Sequence, residues 1–218
     1  MKAIVLILVC LFCSYTYGQE RVFNYDSQGK IIPQSKYIKP FDDGMSLNQY
    51  TNITPYNLKL SQNIHTPSGN LYTVEFLRFK GWEGEPGNFN VIEINKDGYK
   101  IFDLACALGW LYFPNNLSNS TTTKGCFEVI LGMDTIALIL YGTIISSQPP
   151  LITIIILKDG KATLVFNKPS FIEKVQQSNS ETTLTLCANT VEWRKDGTPF
   201  NDAIINTLTI KDGMVYFK

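Results

Sequence analysis

The tripeptide Lys-Asp-Gly, which occurs four times, is the feature that most constrains the fold. The copies lie at residues 96–98, 158–160, 195–197 and 211–213. Three of them sit between runs of β-branched and aromatic residues. Asp-Gly in that setting favours a type I′ turn, with positive φ at both central residues, and predicts a β-hairpin. The copy at 195–197 is followed by Thr198 and Pro199 and is expected to form an ordinary loop.

The chain around the first two predicted hairpins repeats itself. Shifting residues 74–104 by 62 positions places them on residues 136–166 without a gap, so that Val74 falls on Ile136. A looser third copy covers residues 181–217, and each copy is preceded by one more candidate strand. The three predicted units span residues 56–105, 126–167 and 171–218.

These units predict an all-β protein of repeated four-stranded antiparallel meanders with little helix. The strands are rich in Ile, Val, Thr, Tyr and Phe, which suit a pleated, half-buried surface. A four-stranded meander is blade-like, but propellers have about four to eight blades. Three units are therefore expected to pack as a sandwich or as a partial-propeller-like body, and assembly with a second copy or another protein stays open.

Residues 135–157 are apolar enough to raise the question of a transmembrane segment. Gly142, Ser146, Ser147 and the Pro149-Pro150 pair interrupt the run. The remaining apolar stretches are shorter than the roughly twenty residues that a membrane-spanning helix needs. The pattern predicts two buried central strands joined by a turn, and no transmembrane segment after removal of the N-terminal signal.

The N-terminus has the pattern of a secretory signal peptide. Lys2 precedes an apolar run from Ala3 to Cys13, and Thr16 and Gly18 occupy the −3 and −1 positions of a cleavage site before Gln19. The alternative, a retained membrane anchor, is disfavoured because the apolar run is too short. The Tyr-Gly-Gln ending resembles export signals of Gram-negative bacteria. We therefore expect residues 1–18 to be removed and the protein to be periplasmic, cell-surface or extracellular.

Residues 19–55 differ in character from the repeats. They are rich in Pro, Gly, Asn, Gln and Asp and carry only short aromatic runs. This composition predicts an irregular N-terminal arm that packs on the body, with one hairpin around residues 27–30.

Charge and cysteine content limit the range of partners. Removal of residues 1–18 takes away Lys2 and leaves 18 basic and 19 acidic side chains, with no basic run. Nucleic-acid binding is not expected, because it needs a positive footprint. Cys106, Cys126 and Cys187 remain. A Cys106–Cys126 disulfide would close the polar loop between them, whereas the alternative is that all three are small buried residues in strands.

No catalytic residue, metal site or cofactor is predicted. His65 is the one histidine, and it lies beside Thr66-Pro67. A histidine in that position is more typical of a loop than of a general base. There is no Gly-X-Ser-X-Gly nucleophile motif, and one His with scattered Cys residues does not make a zinc site.

The candidate ligand-binding residues are aromatic and acidic. Trp82 lies beside Glu83 and Glu85 in a glycine-rich loop, and Trp110 and Tyr112 follow the first hairpin. Exposed aromatic rings next to carboxylates can stack on sugar rings and accept hydrogen bonds from their hydroxyls. The alternative is that Trp110 and Tyr112 alternate along a strand into the core and that Trp82 covers a sheet edge.

Two functional classes follow from these features. We expect an exported, non-enzymatic binding or interaction protein of the bacterial cell envelope, whose partner is a protein or a glycan. The alternative is a secreted carbohydrate-active hydrolase that uses loop carboxylates, since a glycosidase needs two of them about 5–9.5 Å apart.

Overall fold

A computed structural model describes residues 18–38, 56–79, 88–111, 126–142, 149–192 and 194–218. It confirms that the protein is nearly all β. The described residues form antiparallel β-sheets, and the one helical segment among them is a 3₁₀ turn at Ser35–Tyr37. The predicted signal peptide lies outside the described residues except for Gly18.

The described part of the N-terminal arm, residues 19–38, contributes three short strands. They are β1 (Glu20–Arg21), β2 (Phe23–Tyr25) and β3 (Ile31–Pro33). β2 and β3 pair as an antiparallel hairpin, which confirms the hairpin predicted around residues 27–30. Gly29 has φ +75° in this turn, a conformation that glycine adopts without strain.

The first sheet has the order β4-β5-β6-β7 and the second has the order β11-β10-β9-β8. The strands of the first sheet are β4 (Tyr56–His65), β5 (Leu71–Phe79), β6 (Asn88–Lys96) and β7 (Tyr99–Leu111). Those of the second are β8 (Cys126–Gly132), β9 (Thr135–Tyr141), β10 (Leu151–Lys158) and β11 (Lys161–Pro169).

The third sheet combines the two ends of the described chain. Its order is β1-β15-β14-β13-β12, so the N-terminal strand pairs with the C-terminal one. Its other strands are β12 (Phe171–Gln177), β13 (Glu181–Cys187), β14 (Ile205–Lys211) and β15 (Met214–Phe217).

The Asp-Gly turns have the predicted geometry. Asp97, Asp159 and Asp212 have φ of 52°, 48° and 50°, and each is followed by a glycine with positive φ. This is the type I′ pattern, whose twist matches that of the flanking strands. In the fourth copy only Gly197 has positive φ, in agreement with the predicted loop.

The gapless alignment of the first two hairpin regions is wrong by one residue in its leading strand. Val74 lies opposite Ile94 in the first sheet. In the second sheet Ile156, which is 62 positions after Ile94, lies opposite Ala137 and not Ile136. The chain between the two paired residues is one residue shorter in the second sheet, from Ala137 to Ile156, than in the first, from Val74 to Ile94. Since a one-residue shift moves a side chain to the other face of its sheet, the counterpart of Val74 is Ala137.

The second sheet is the middle layer of the molecule. On β9, Ala137 and Ile139 face the third sheet, whereas Ile136 and Leu138 face the first. All seven residues of β9 are buried. Burial on both faces explains why β9 and β10 are apolar at nearly every position instead of alternating with polar residues.

Toward the Asp-Gly turns, the outer faces of the first and third sheets carry rows of polar side chains. On the first sheet Glu93 lies opposite both Glu75 and Asp103, and lysines from neighbouring positions pair with this row. On the third sheet Thr183 lies opposite Thr209. Farther along the same face of the first sheet, Leu77 lies opposite Val91 and both are buried, so this face is polar only toward the turn at residues 97–98.

The N-terminal arm seals one side of the layer between the second and third sheets. Phe23 and Tyr37 are buried in that layer, and the Tyr37 ring stacks on Phe166 at 5.9 Å between centroids. The amide of Val22 donates a hydrogen bond of 2.9 Å to the carbonyl of Val215. The arm is therefore part of the packed body.

Candidate functional site

Consecutive antiparallel strands bring alternate turns to the same end of the three sheets. We call this surface the turn face. It comprises the turns at residues 27–29, 66–70, 97–98, 133–134, 159–160, 178–180 and 212–213.

Direct contacts fix the turns of different sheets against each other. The amide of Gly160 donates a 2.9 Å hydrogen bond to the hydroxyl of Tyr72, joining the second sheet to the first. The Ser68 amide donates to the Met133 carbonyl at 2.9 Å. The Tyr25 hydroxyl donates to the Gly213 carbonyl at 3.3 Å and ties the arm to the third sheet. These bonds hold the backbone of the turn face in a defined arrangement.

Each lysine of the three hairpin tripeptides lies over a tyrosine ring. The distances from Nζ to the ring centroid are 5.6, 5.9 and 5.7 Å for Lys96 over Tyr72, Lys158 over Tyr25 and Lys211 over Tyr216. A cation–π contact of this kind contributes about 0.5–1 kcal/mol at an exposed site. The tripeptide therefore also places a cation beside an aromatic ring at the end of each sheet.

Burial and charge alter the titration of groups on this face. Burial raises the pKa of the Tyr72 phenol, although the hydrogen bond from Gly160 opposes this. The Asp159 carboxylate accepts a hydrogen bond from Lys158 and raises the pKa of that ammonium group. Both side chains are thus held in their protonated forms at neutral pH.

A polar groove of about 550 Å³ opens between the second and third sheets at this end. Its walls are strand β8, the turn at 178–180 and residues 210–213. Burial raises the pKa of the Glu128 carboxyl, which accepts a 2.7 Å hydrogen bond from Gln62. The groove therefore offers backbone and side-chain donors and acceptors to a ligand.

A smaller cavity of about 170 Å³ lies where the arm meets the second sheet. It is lined by the turn of the β2–β3 hairpin and by the turn between β10 and β11. Its charged lining residues are Lys30, Lys158, Asp159 and Lys161.

An apolar concavity of about 600 Å³ lies at the opposite end of the third sheet. It is formed by Phe171, Cys187 and Ile205 on adjacent strands and by residues 189–191. The Cys187 thiol is buried and donates to the carbonyl of Asn189 at 3.1 Å. Half of the Ile205 side chain is exposed, so this surface is the more apolar of the two ends.

Of the residues that the sequence singled out for ligand binding, Trp110 alone lies within the described ranges. Trp110 is completely buried, and its indole N–H donates to the Thr153 hydroxyl at 3.0 Å. A buried indole has no free face for a sugar ring, so Trp110 takes the core position that the alternative interpretation assigned to it. Trp82, Glu83, Glu85 and Tyr112 lie outside the described residues, and their role in binding stays a prediction.

The cysteine prediction also stays open. Cys106 is buried in β7, in the layer between the first and second sheets. Cys126 begins β8, opposite Leu140, but its side chain is not among those described. The predicted Cys106–Cys126 bridge is therefore untested.

Sequence reasoning missed the lysine-lined cavity. Its signal was present in the tripeptide at 158–160, since Lys161 follows it directly, and in the Gly29-Lys30 pair of the arm. What the sequence alone lacks is the fold that brings the two turns together.

The described ranges contain no group of three or more His, Cys, Asp or Glu side chains arranged to hold a metal ion. They also contain no helix of the length and hydrophobicity needed to cross a bilayer.

Comparison with known proteins gave no relative. No protein-family model matches the chain, and neither the curated proteins nor the solved structures searched gave a match.

Proposed function

We propose that the chain is an exported, non-enzymatic binding protein of the bacterial cell envelope that holds a glycan or a protein on its turns. The observation that carries this proposal is the turn face, which holds seven turns, two open polar cavities of about 550 and 170 Å³ and three lysine–tyrosine pairs. Loops positioned by a rigid scaffold are the usual place for binding residues in β proteins.

The proposed mechanism is recognition by a preorganised surface. Hydrogen bonds between turns of different sheets, such as Gly160 to Tyr72, fix the backbone before any ligand arrives. A surface that is already ordered loses little conformational entropy on binding. Specificity would then come from the polar side chains that line the two cavities.

We further propose that the three sheets are copies of one blade-like four-stranded unit. The shared strand order and the three type I′ turns support common ancestry of the units. In the second sheet, Ala137 and Ile139 pack against the third sheet. The positions equivalent to them in the third sheet are occupied by Thr183 and Thr185, which lie on its outer face. A polar outer face is typical of the last unit in a stack, so we favour a three-layer sandwich that ends at the third sheet over part of a propeller.

The compartment is tested by the mass of the mature protein. We expect expression with the native N-terminus in a Gram-negative host to give a periplasmic or secreted chain that begins at Gln19. A chain that stays in the cytoplasm with residues 1–18 attached would overturn the export proposal. Gly18→Leu, which places a bulky residue at the −1 position, should block cleavage.

Binding through the turn face is tested by blocking it. A cysteine introduced by Asn179→Cys, in the turn at 178–180, would carry a bulky polyethylene glycol adduct beside the groove. The matched control is the same adduct on Lys195→Cys, in the exposed loop at 194–198. Both proteins are screened against immobilised neutral and acidic glycans and against envelope proteins. We expect the adduct at residue 179 to abolish binding and the adduct at residue 195 to leave it unchanged. Equal binding by the two adducts would refute the proposal.

The hydrolase alternative has a separate test. If Glu83 and Glu85 act as acid and nucleophile or base, the mature chain should release reducing ends from a polysaccharide, and Glu83→Gln or Glu85→Gln should remove that activity. Activity that survives both substitutions would exclude these carboxylates.

A further inference from the structure

The cavity of about 170 Å³ on the turn face has an unusual concentration of positive charge. Lys30 reaches it from the arm, and Lys158 and Lys161 reach it from the two sides of the Asp159-Gly160 turn. The Nζ atom of Lys158 lies 4.0 Å from the point where a Cβ would stand on Gly29. The ammonium group of Lys158 therefore lies close to the arm.

Two of these lysines oppose each other directly. Lys158 and Lys161 are cross-strand partners on β10 and β11. Like charges directly opposite in an antiparallel pair are destabilising. The other two hairpins avoid this arrangement, because Lys96 lies opposite Tyr99 and Lys211 lies opposite Met214. Of the three sheets, only the second has two lysines opposite each other at its Asp-Gly turn.

The nearby carboxylates do not neutralise the cluster. Asp159 forms an ion pair with Lys158. Asp26 accepts hydrogen bonds of 2.9 Å from the backbone amides of Gln28 and Lys30 and is occupied in shaping the turn. Within the described ranges, neither Lys30 nor Lys161 has a carboxylate at ion-pair distance. Two ammonium groups therefore remain for an anionic ligand.

An aromatic ring lies next to Lys158, outside the residues that line the cavity. Tyr25 is 38% exposed, and its ring centroid lies 5.9 Å from the Nζ atom of Lys158. Its edge-to-face contact with Phe23 and its hydrogen bond to the Gly213 carbonyl fix the orientation of the ring. An exposed ring held in place can stack on the apolar face of a sugar.

The size of the cavity sets the size of the ligand group. At about 170 Å³ it is smaller than the roughly 300–1,000 Å³ of pockets that enclose a whole small molecule. This is room for a single charged group. The hydroxyl of Thr163 and the amide of Gln28 also line the space and supply neutral hydrogen-bonding groups.

We infer that this cavity binds the charged group of an acidic sugar residue of a glycan, with the carboxylate or sulfate between Lys30 and Lys161 and the sugar ring extending out of the cavity toward Tyr25. The inference rests on the proposed function and names the ligand class for one part of the turn face. The anion would relieve the repulsion between Lys158 and Lys161 as it binds.

The test compares acidic glycans with uncharged counterparts. Isothermal titration of the mature chain uses oligogalacturonate, its methyl ester, chondroitin sulfate oligomers and free sulfate. The variants are Lys30→Gln and Lys161→Gln, both at exposed side chains, and the matched control is Lys195→Gln in the loop at 194–198. We expect an acidic oligosaccharide to bind and the ester to fail. Each cavity substitution should weaken binding roughly two- to fivefold, in the range of exposed ion pairs, and the control should have no effect.

The other outcomes overturn the inference in distinguishable ways. Equal binding of the acid and its ester, or unchanged binding by both lysine variants, refutes the acidic-sugar site but leaves glycan binding by the turn face in place. Free sulfate binding as tightly as the best oligosaccharide assigns the cavity to a free oxyanion instead. If no acidic ligand binds, the inference is wrong. Whether the turn face binds any ligand is then decided separately, by comparing the adducts at residues 179 and 195. In the absence of anions, Lys161→Gln should not lower the midpoint of thermal unfolding, because it removes the repulsion between Lys158 and Lys161. A lower midpoint would show that this repulsion does not exist.

Discussion

The indole nitrogen of Trp110 donates a hydrogen bond to the hydroxyl oxygen of Thr153, 3.0 Å away, inside the layer between the first and second sheets. The Thr153 hydroxyl in turn donates to the Asn167 amide oxygen at 2.7 Å. All three side chains are buried. This chain of bonds satisfies the polar groups that β7, β10 and β11 bring into an otherwise apolar interior.

Thr153→Val should therefore destabilise the protein although it keeps the shape of the side chain. The substitution leaves the Trp110 N–H and the Asn167 oxygen without a partner, which costs about 1–3 kcal/mol per buried group. Urea unfolding should show a lower midpoint with an unchanged slope. Thr153→Ser, which keeps the hydroxyl, is the control and should lose less. A Thr153→Val protein as stable as the wild type would show that the bonds contribute nothing.

Gly142→Ala should also destabilise the fold. A Cβ at this position would stand 2.7 Å from the Leu151 amide nitrogen and 3.2 Å from the Gly109 carbonyl oxygen, so it would collide with backbone on both sides. Gly142 also forms the bridge to Trp110 that joins the first and second sheets. We expect a loss of about 1–3 kcal/mol, as for other overpacked sites, measured by chemical denaturation.

Gly132→Ala is the matched control for Gly142→Ala. Gly132 is exposed, and an added Cβ would meet only the Cβ of Thr135 at 4.0 Å. This substitution should change the unfolding midpoint little. Equal effects of the two substitutions would contradict the close approach of the sheets at Gly142.

The docking of the N-terminal arm should depend on pH through Glu20. Hydrogen bonds from Lys36 and from the Tyr37 hydroxyl lower the pKa of the Glu20 carboxyl below its ordinary value of 4.5. A carboxyl whose pKa is lowered in the folded state stabilises the fold at pH values above its pKa in the unfolded state. This contribution disappears as the pH falls through the lower pKa of the folded state. The wild type should therefore exceed Glu20→Gln in stability at neutral pH and lose that advantage in acid.

The measurement is the unfolding midpoint of both proteins over a pH series. Because the group is exposed, the difference should be small and should shrink further in high salt. A difference that grows as the pH falls below 4.5 would contradict the assigned role of Glu20.

Much of the fold could be predicted from the sequence because its strongest signals are local. Asp-Gly between β-rich runs fixes a type I′ hairpin within four residues, and Asp97, Asp159 and Asp212 all adopt the predicted φ. The continuous apolar runs of β9 and β10 indicated strands buried on both faces. The one-residue error at Val74 arose because register depends on the length of a connection, which side-chain pattern alone does not show.

The candidate site was less predictable because it depends on distant segments. Trp110 was considered as a surface aromatic, but its position in β7 turns it toward Thr153 and the core. Lys30 and Lys161 are 131 positions apart and meet only because the arm packs against β11. The sequence around each lysine gives no indication that the other lies nearby.

The central claim is that the second sheet is enclosed on both faces by the other two, which places all the turns of one end on a single surface. Native-state hydrogen exchange tests it most directly. The amides of β9 and β10 should exchange slowest and at the rate of global unfolding, while those of the edge strands β4 and β12 exchange earlier. Amides of β9 that exchange as fast as those of β4 would contradict the three-layer arrangement.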